Sequence, residues 1–151
     1  MTRIGLIGDT QGRYRVDALL AMVARHFKGV DEVWHAGDWQ EYEVLEELRK
    51  IAPLTVVNGN APDDPSYPER VKRPVEGLTI GMVHRPPRPG DPWLQGLDIC
   101  IHGHTHRWRD EMLDGVRLIN VSTPTLAPRD LRTIAILTVA GREAQLDKIV
   151  V

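Results

Sequence analysis

The chain has 151 residues, of which 42% are hydrophobic and 26% charged, and its formal net charge is -2. This length and composition predict one soluble domain over residues 1–151, and the charge provides no global basic field for binding nucleic acid. A single cysteine, Cys100, excludes a disulfide within the chain, and we see no apolar leader and no segment long enough to span a bilayer. We therefore expect a cytoplasmic protein without a membrane partner, and we leave homo-oligomer formation open.

The first third of the sequence alternates short apolar runs with amphipathic stretches. Strands are predicted at residues 4–7, 33–34 and 54–57. Between them, apolar residues at 16, 19, 20, 23 and 27 and at 44, 45, 48 and 51 follow helical spacing. This strand–helix order requires right-handed crossovers and a parallel sheet.

The rest of the sequence favours strands. Residues 61–92 hold most of the prolines, which argues against helix there, and a hairpin turning at Glu76-Gly77 leads into residues 78–83. Further strands are predicted at 97–101, at 108–113 and 116–121 around the Asp114-Gly115 turn, and at 133–139 and 144–151. The predicted fold class is α/β, with two packed sheets flanked by helices.

Side chains that can bind a metal follow nearly every predicted strand. They are Asp9, Gln11, Asp38, Asn60, His84, His104 and His106. Loops that follow the C-terminal ends of strands form the ligand crevice of open α/β sheets, so these distant residues can converge. The mixed oxygen and nitrogen donors suit divalent transition metals, and the absence of thiolates argues against a structural zinc site.

The spacing of His104 and His106 favours two metal ions over one, because alternate residues of an extended chain point in opposite directions. Each candidate also has a simpler explanation when taken alone. Asp9 or Asp38 can cap a helix, Asn60 can turn the chain, and His84 can be a loop histidine. The occurrence of all these residues in this order favours a role as metal ligands over the simpler explanations. We expect His35 and His102 to pack behind the site.

Five short motifs together resemble the calcineurin-like metallophosphoesterase pattern, and they are most similar to its small single-domain phosphodiesterase branch of bacteria and archaea. They are Gly8-Asp9-Thr10-Gln11, Gly37-Asp38, Gly59-Asn60, His84 and Gly103-His104-Thr105-His106. The resemblance covers essentially the whole chain. It implies a two-sheet sandwich in a four-layer αββα arrangement and two divalent metals, with Mn²⁺ favoured and Fe²⁺, Zn²⁺ or Ni²⁺ as alternatives.

The resemblance also implies a role for each residue. Asp9, His106 and the residue at position 11 would hold the first metal, and Asn60, His84 and His104 the second. Asp38 would bridge both. A hydroxide shared by the metals would attack phosphorus, with Asp38 and His104 acting catalytically mainly through the metals.

Three positions depart from the family pattern. Gln11 stands where the family usually has histidine. Ala61 stands where many relatives have a histidine acid and the small branch has cysteine. Residues 120–123 read Asn-Val-Ser-Thr instead of Asn-Pro-Gly-Ser.

The predicted reaction is hydrolysis of a small phosphodiester or phosphomonoester. Arg85 and Arg88 are predicted to bind its phosphate, since guanidinium groups match phosphoryl oxygens, although a solvated loop is the alternative. We expect Trp39 to be the aromatic residue nearest the metals. The competing hypothesis is an interaction scaffold that keeps the fold without catalysis, which Gln11 and Ala61 leave open. DNA cleavage is disfavoured by the lack of a basic surface.

Overall fold

A computed structural model describes residues 1–151 and contains two five-stranded sheets and two α-helices. The elements are β1 (Thr2–Ile7), α1 (Val16–His26), β2 (Glu32–His35), α2 (Tyr42–Ile51), β3 (Leu54–Val56), β4 (Arg70–Val75), β5 (Leu78–Val83), a 3₁₀ turn (Pro92–Leu94), β6 (Ile99–Ile101), β7 (Trp108–Leu113), β8 (Val116–Val121), β9 (Thr133–Ala140) and β10 (Glu143–Val150). No helix is both long and apolar enough to cross a membrane.

The first sheet has the strand order β10-β9-β1-β2-β3, in which β1, β2 and β3 are parallel. Because α1 and α2 connect these strands in one direction, right-handed crossovers place both helices on the same face. Their apolar sides form a core there that includes Val23, Phe27 and Leu48. Gly5 of β1 allows the close approach, since a Cβ at this position would lie 2.7 Å from the Phe27 ring.

The second sheet has the order β4-β5-β6-β8-β7, in which β5, β6 and β8 are parallel. Pro74 is tolerated in β4 because β4 is an edge strand. The main core fills the space between the two sheets, with Leu6 and Trp34 from the first and Ile80 and Met82 from the second among its members.

The predicted fold, two sheets flanked by helices, is confirmed. The outer face of the second sheet is covered by the 3₁₀ turn and the residues after it, through Leu94 and Leu97, rather than by an α-helix. The strand predicted at 97–101 begins only at Ile99, because the Leu97 amide donates to the Leu94 carbonyl and Gly96 has a φ of +79°. Likewise, β3 ends at Val56, one residue earlier than predicted.

Candidate metal centre

Asp38, His84 and His104 form the tightest cluster of candidate ligands, with one ligand atom from each lying within 4.8 Å of the others. These residues follow β2, β5 and β6, so both sheets contribute. His84 Nε2 lies 3.2 Å from Asp38 Oδ2, and the rings of His84 and His104 meet edge to face at 5.2 Å. The backbone amide of Asn60 donates to Asp38 Oδ1 at 2.6 Å, which brings the loop after β3 close to these ligands.

A second group of candidate ligands surrounds Asp9, which is fully buried. Both oxygens of its carboxylate accept from the His104 amide, at 3.2 and 3.1 Å, and His106 Nε2 lies 3.6 Å from Asp9 Oδ1. Gln11 Oε1 is buried and has no hydrogen-bond partner. The Gln11 backbone is held by Thr125, whose hydroxyl donates to the Gln11 carbonyl. Asp38, His84 and His104 therefore lie together, and Asp9 and His106 lie beside them. Asn60 and Gln11 are joined to these groups through their backbones.

Two histidines are oriented as metal ligands usually are. Nδ1 of His84 lies 2.8 Å from the Ala36 carbonyl and Nδ1 of His106 lies 2.8 Å from the Leu126 carbonyl. Because a carbonyl only accepts, each Nδ1 carries the hydrogen, and Nε2 is directed at a carboxylate. Metal-binding histidines are commonly fixed in this way.

Two of the four buried side-chain atoms that lack a hydrogen-bond partner belong to candidate ligands, and the other two are the indole nitrogens of Trp39 and Trp93. His84 Nε2 lies close to Asp38 but out of line for a hydrogen bond, so it lacks a partner, as does Gln11 Oε1. Buried polar atoms normally have partners. Divalent cations would satisfy both atoms and the adjacent carboxylates, so the donors present fit such ions.

The two carboxylates have different electrostatic environments. Burial is the main cause that raises the pKa of Asp9, to about 6, although His84 and His106 oppose it. Burial also acts to raise the pKa of Asp38, but the adjacent His84 ring and hydrogen bonds from the backbone amides of Asn60 and Ala61 lower it to about 2. Asp38 is therefore ionised at neutral pH and available to a cation.

The backbone at the site adopts conformations that L-residues seldom take. Asp9, Asp38, His104 and His106 have φ values of 50°, 57°, 74° and 57°. Such strain clusters at functional sites, where the surrounding structure maintains it. Gly59 is required for a different reason: a Cβ there would lie 2.4 Å from Asp38 Oδ1.

His35 and His102 are almost completely buried, and both nitrogens of each ring are engaged. His35 contacts the Thr10 hydroxyl at 2.9 Å and accepts from the Gly37 amide at 3.1 Å. His102 lies 3.1 Å from the Gly103 carbonyl and accepts from Arg109 at 3.3 Å. Burial lowers their pKa values to about 3 and about 4, so these rings are neutral supports of the site.

The end of β8 and the loop after it tie the ligand loops together, a role the sequence did not reveal. Asn120 Nδ2 donates to the Gly103 carbonyl at 3.1 Å. The Ser122 hydroxyl donates to the His106 carbonyl at 2.9 Å, and the Thr123 hydroxyl to the Asp9 carbonyl at 2.7 Å. The sequence signal was that residues 120–123 occupy the position of a family motif from which this chain departs.

Two cavities adjoin the ligands. One, of about 630 Å³, borders Asn60 and His84, and the other, of about 430 Å³, borders His104 and His106. Sequence reasoning missed the charged and aromatic side chains that also line them, which are Asp63, Tyr67, Glu69, Arg107 and Arg129.

The two arginines predicted to bind substrate differ in position. Arg85 lines the larger cavity, whereas Arg88 lines neither, and its carbonyl accepts from the Asp91 amide. The fully buried Trp39 packs in an apolar cluster with Leu45 and Val56, and its ring meets that of His35 edge to face at 6.4 Å. His35 is its link to the site.

Known proteins resemble this chain over nearly its whole length. A probable metallophosphoesterase of Methanocaldococcus jannaschii is 32% identical, covering 95% of this chain and 79% of the relative. Among solved structures, an archaeal phosphodiesterase superposes with a TM-score of 0.79 at 21% identity, covering 99% of this chain and 100% of the other. Zn²⁺-complexed Vps29 of Entamoeba histolytica superposes with a TM-score of 0.73 at 18% identity, covering 99% of each chain.

Residues 2–142 match the calcineurin-like phosphoesterase superfamily domain. The matched range contains every candidate ligand described above, from Asp9 to His106. The chain therefore belongs to the calcineurin-like phosphoesterase superfamily.

Proposed function

We propose that this protein is a dimetal phosphoesterase that hydrolyses a small phosphodiester, with phosphomonoesters as the related alternative. The observation that carries the proposal is a concentration of residues that can bind metal where the two sheets meet, with Asp38, His84 and His104 in one cluster and Asp9 and His106 beside it. We include Gln11 and Asn60 in the ligand set because their loops are tied to Asp9 and Asp38. The phosphodiesterase of the same fold and the name of the curated relative support it.

We assign the ligands to two ions. Asn60, His84 and His104 would hold one ion, and Asp9, Gln11 and His106 the other. Asp38 would serve both, because it lies within the first group and is close enough to raise the pKa of Asp9. Two neighbouring carboxylates repel one another, and cations between them would relieve that repulsion.

Manganese is the metal we propose, since carboxylate and amide oxygens are donors that suit it. The three imidazoles suit Zn²⁺, Fe²⁺ and Ni²⁺ as well, and the Zn²⁺-bound Vps29 supports metal binding by this fold.

When bound, such ions stabilise negative charge on phosphoryl oxygens and lower the pKa of a water molecule from 15.7 to about 7. The protein's own groups hold and orient the metal ligands. Backbone carbonyls fix the rings of His84 and His106, and two backbone amides fix Asp38. The guanidinium groups of Arg85 and Arg107, which border the two cavities, would bind phosphoryl oxygens.

The leaving group receives no proton from residue 61, because Ala61 has no ionisable side chain. This favours substrates whose leaving group is a stable anion. The cavity volumes suit a small molecule. We place the protein in the cytoplasm, where its single, buried cysteine thiol would stay reduced.

Metal reconstitution tests the proposal. Protein stripped with chelator and reloaded with Mn²⁺ should contain two ions per chain by elemental analysis and should hydrolyse bis(4-nitrophenyl) phosphate. Chelator should abolish the activity. Active protein with one ion or none would refute the dimetal assignment. Folded, fully loaded protein without activity on any ester would favour the scaffold hypothesis.

A further inference from the structure

A third cavity, of about 500 Å³, lies between the loop after β1, helix α1 and the end of β10, and none of its lining residues is a candidate metal ligand. Its lining is strongly basic and includes no acidic side chain. The basic residues are Arg13, Arg15, Arg25, His26 and Arg132. This clustering of basic side chains contrasts with the formal net charge of the chain, which is -2. We call this cavity the basic pocket.

Three guanidinium groups of the basic pocket form no ion pair within the protein. Arg15 is paired with Asp17 at 2.8 Å. Arg13, Arg25 and Arg132 form no ion pair with any carboxylate, and all three side chains are exposed. Arginine presents a planar fork of donors that matches phosphate oxygens. The basic pocket is therefore equipped to bind a phosphate group.

Apart from the hydroxyl groups of Tyr14 and Thr125, the rest of the basic pocket is apolar. Leu19, Met22 and Pro124 line it together with the ring of Tyr14. The Tyr14 hydroxyl donates to the Thr10 carbonyl, which fixes the ring in place. Aromatic and apolar surfaces of this kind bind flat rings, and the volume is within the range of small-molecule sites.

We propose that the basic pocket binds a nucleoside phosphate, with the free arginines on the phosphates and the apolar wall against the base. This site is separate from the metal centre and does not depend on the proposed phosphoesterase activity. Inorganic phosphate alone would use only the arginines, and a nucleoside alone only the apolar wall. Both should therefore bind more weakly than ADP.

Calorimetric titration of the whole chain with ADP in the presence of EDTA tests this, because the chelator removes any contribution from metal ions. We expect one ADP per chain and weaker binding of inorganic phosphate and of adenosine. Replacing both Arg13 and Arg132 with glutamine should weaken ADP binding by about tenfold or more, since two charged hydrogen-bond donors are lost. The matched control replaces Arg107 and Arg129 with glutamine. These two arginines lie beside His104 and His106 and form no ion pair, and the control should bind ADP as the parent does.

Three results would overturn the proposal. The first is no ADP binding by the parent at millimolar concentration. The second is loss of binding in the Arg107 and Arg129 control instead of the Arg13 and Arg132 variant, which would place ADP at the metal centre. The third is phosphate binding as tight as ADP binding, which would remove the base from the recognition. Melting temperatures equal to that of the parent verify that both double variants fold.

Discussion

Asp38→Asn separates the role of Asp38 in metal binding from its role in the fold. Asp38 Oδ1 accepts from the amides of Asn60 at 2.6 Å and Ala61 at 3.0 Å. An asparagine oxygen can accept from both amides, so the metal-free variant should be within about 1 kcal/mol of the parent in free energy of unfolding. Asp38→Ala removes both hydrogen bonds. Each is worth about 1.5–3 kcal/mol for a charged acceptor, and water at the exposed Asn60 replaces part of the loss, so we expect a cost of about 3 kcal/mol.

The parent and Asp38→Asn should differ more in how far Mn²⁺ raises their Tm than in their metal-free stability. An ion present at 100 times its Kd stabilises the folded state by about 2.7 kcal/mol, which corresponds to about 5–11 °C in Tm for a chain of this size. The parent should show this rise with Mn²⁺. Asp38→Asn should lose most of it, because a neutral amide cannot offset the charge of two close cations as a carboxylate does.

Thermal melts with and without Mn²⁺, read beside hydrolysis of bis(4-nitrophenyl) phosphate, provide the assay. Both Asp38 variants should be less active than a single substitution of any other candidate ligand. His102→Ala serves as the control: it removes a buried ring, so it should lower the metal-free Tm but keep the Mn²⁺-dependent rise. An Asp38→Asn variant that keeps the full rise and the activity would refute the assignment of Asp38 as the shared ligand.

Three further substitutions and one comparison of substrates test the metal centre. Gln11→His should lower the Mn²⁺ concentration needed for half-maximal rate, and Gln11→Ala should raise it; a Gln11→Ala titration identical to that of the parent would eliminate the ligand role. With Ala61 unable to supply a proton, alkyl esters should lack the acceleration of about 10²–10⁴-fold that a general acid provides, so nitrophenyl esters should react much faster than alkyl esters. A flat dependence on leaving-group pKa in the chemical step would mean that another group acts as the acid. Gly59→Ala should displace Asp38, cost about 1–3 kcal/mol and abolish activity. Unchanged activity would contradict the expected clash, in which a Cβ at residue 59 would lie 2.4 Å from Asp38 Oδ1.

The parallel strands and helices were predictable because local sequence patterns specify them. The apolar face of α1 and the short runs of β1 and β2 are each contained within a few consecutive residues. The convergence of the strand-end residues was also predictable, since parallel strands bring their C-terminal ends to one edge. Asp9, Asp38, His84 and His104 lie at such ends.

Features that depend on contacts between distant residues were not predictable in this way. Leu97 has the sequence character of a strand residue, but the 3₁₀ turn before it and the left-handed Gly96 direct it out of the sheet. Tyr67 and Glu69 reach the larger cavity only because the proline-rich segment folds back over the loop after β3, where the Asn58 amide donates to the Pro68 carbonyl. No local sequence pattern predicts that the proline-rich segment folds back over this loop.

Gln11 combines both kinds of information. Its position after β1 follows from the sequence, but the environment of its side chain does not. The amide oxygen is buried without a hydrogen-bond partner, an arrangement that costs about 1–3 kcal/mol when nothing compensates for it. Thr125 holds the backbone of this residue, and its hydroxyl also donates to the Asp9 carbonyl, so the loop is fixed from outside the motif. A cation beside Asp9 would supply the missing partner. A buried oxygen without a partner is costly in a scaffold that binds no metal, so the burial of Gln11 Oε1 favours the metal-binding hypothesis over the scaffold hypothesis.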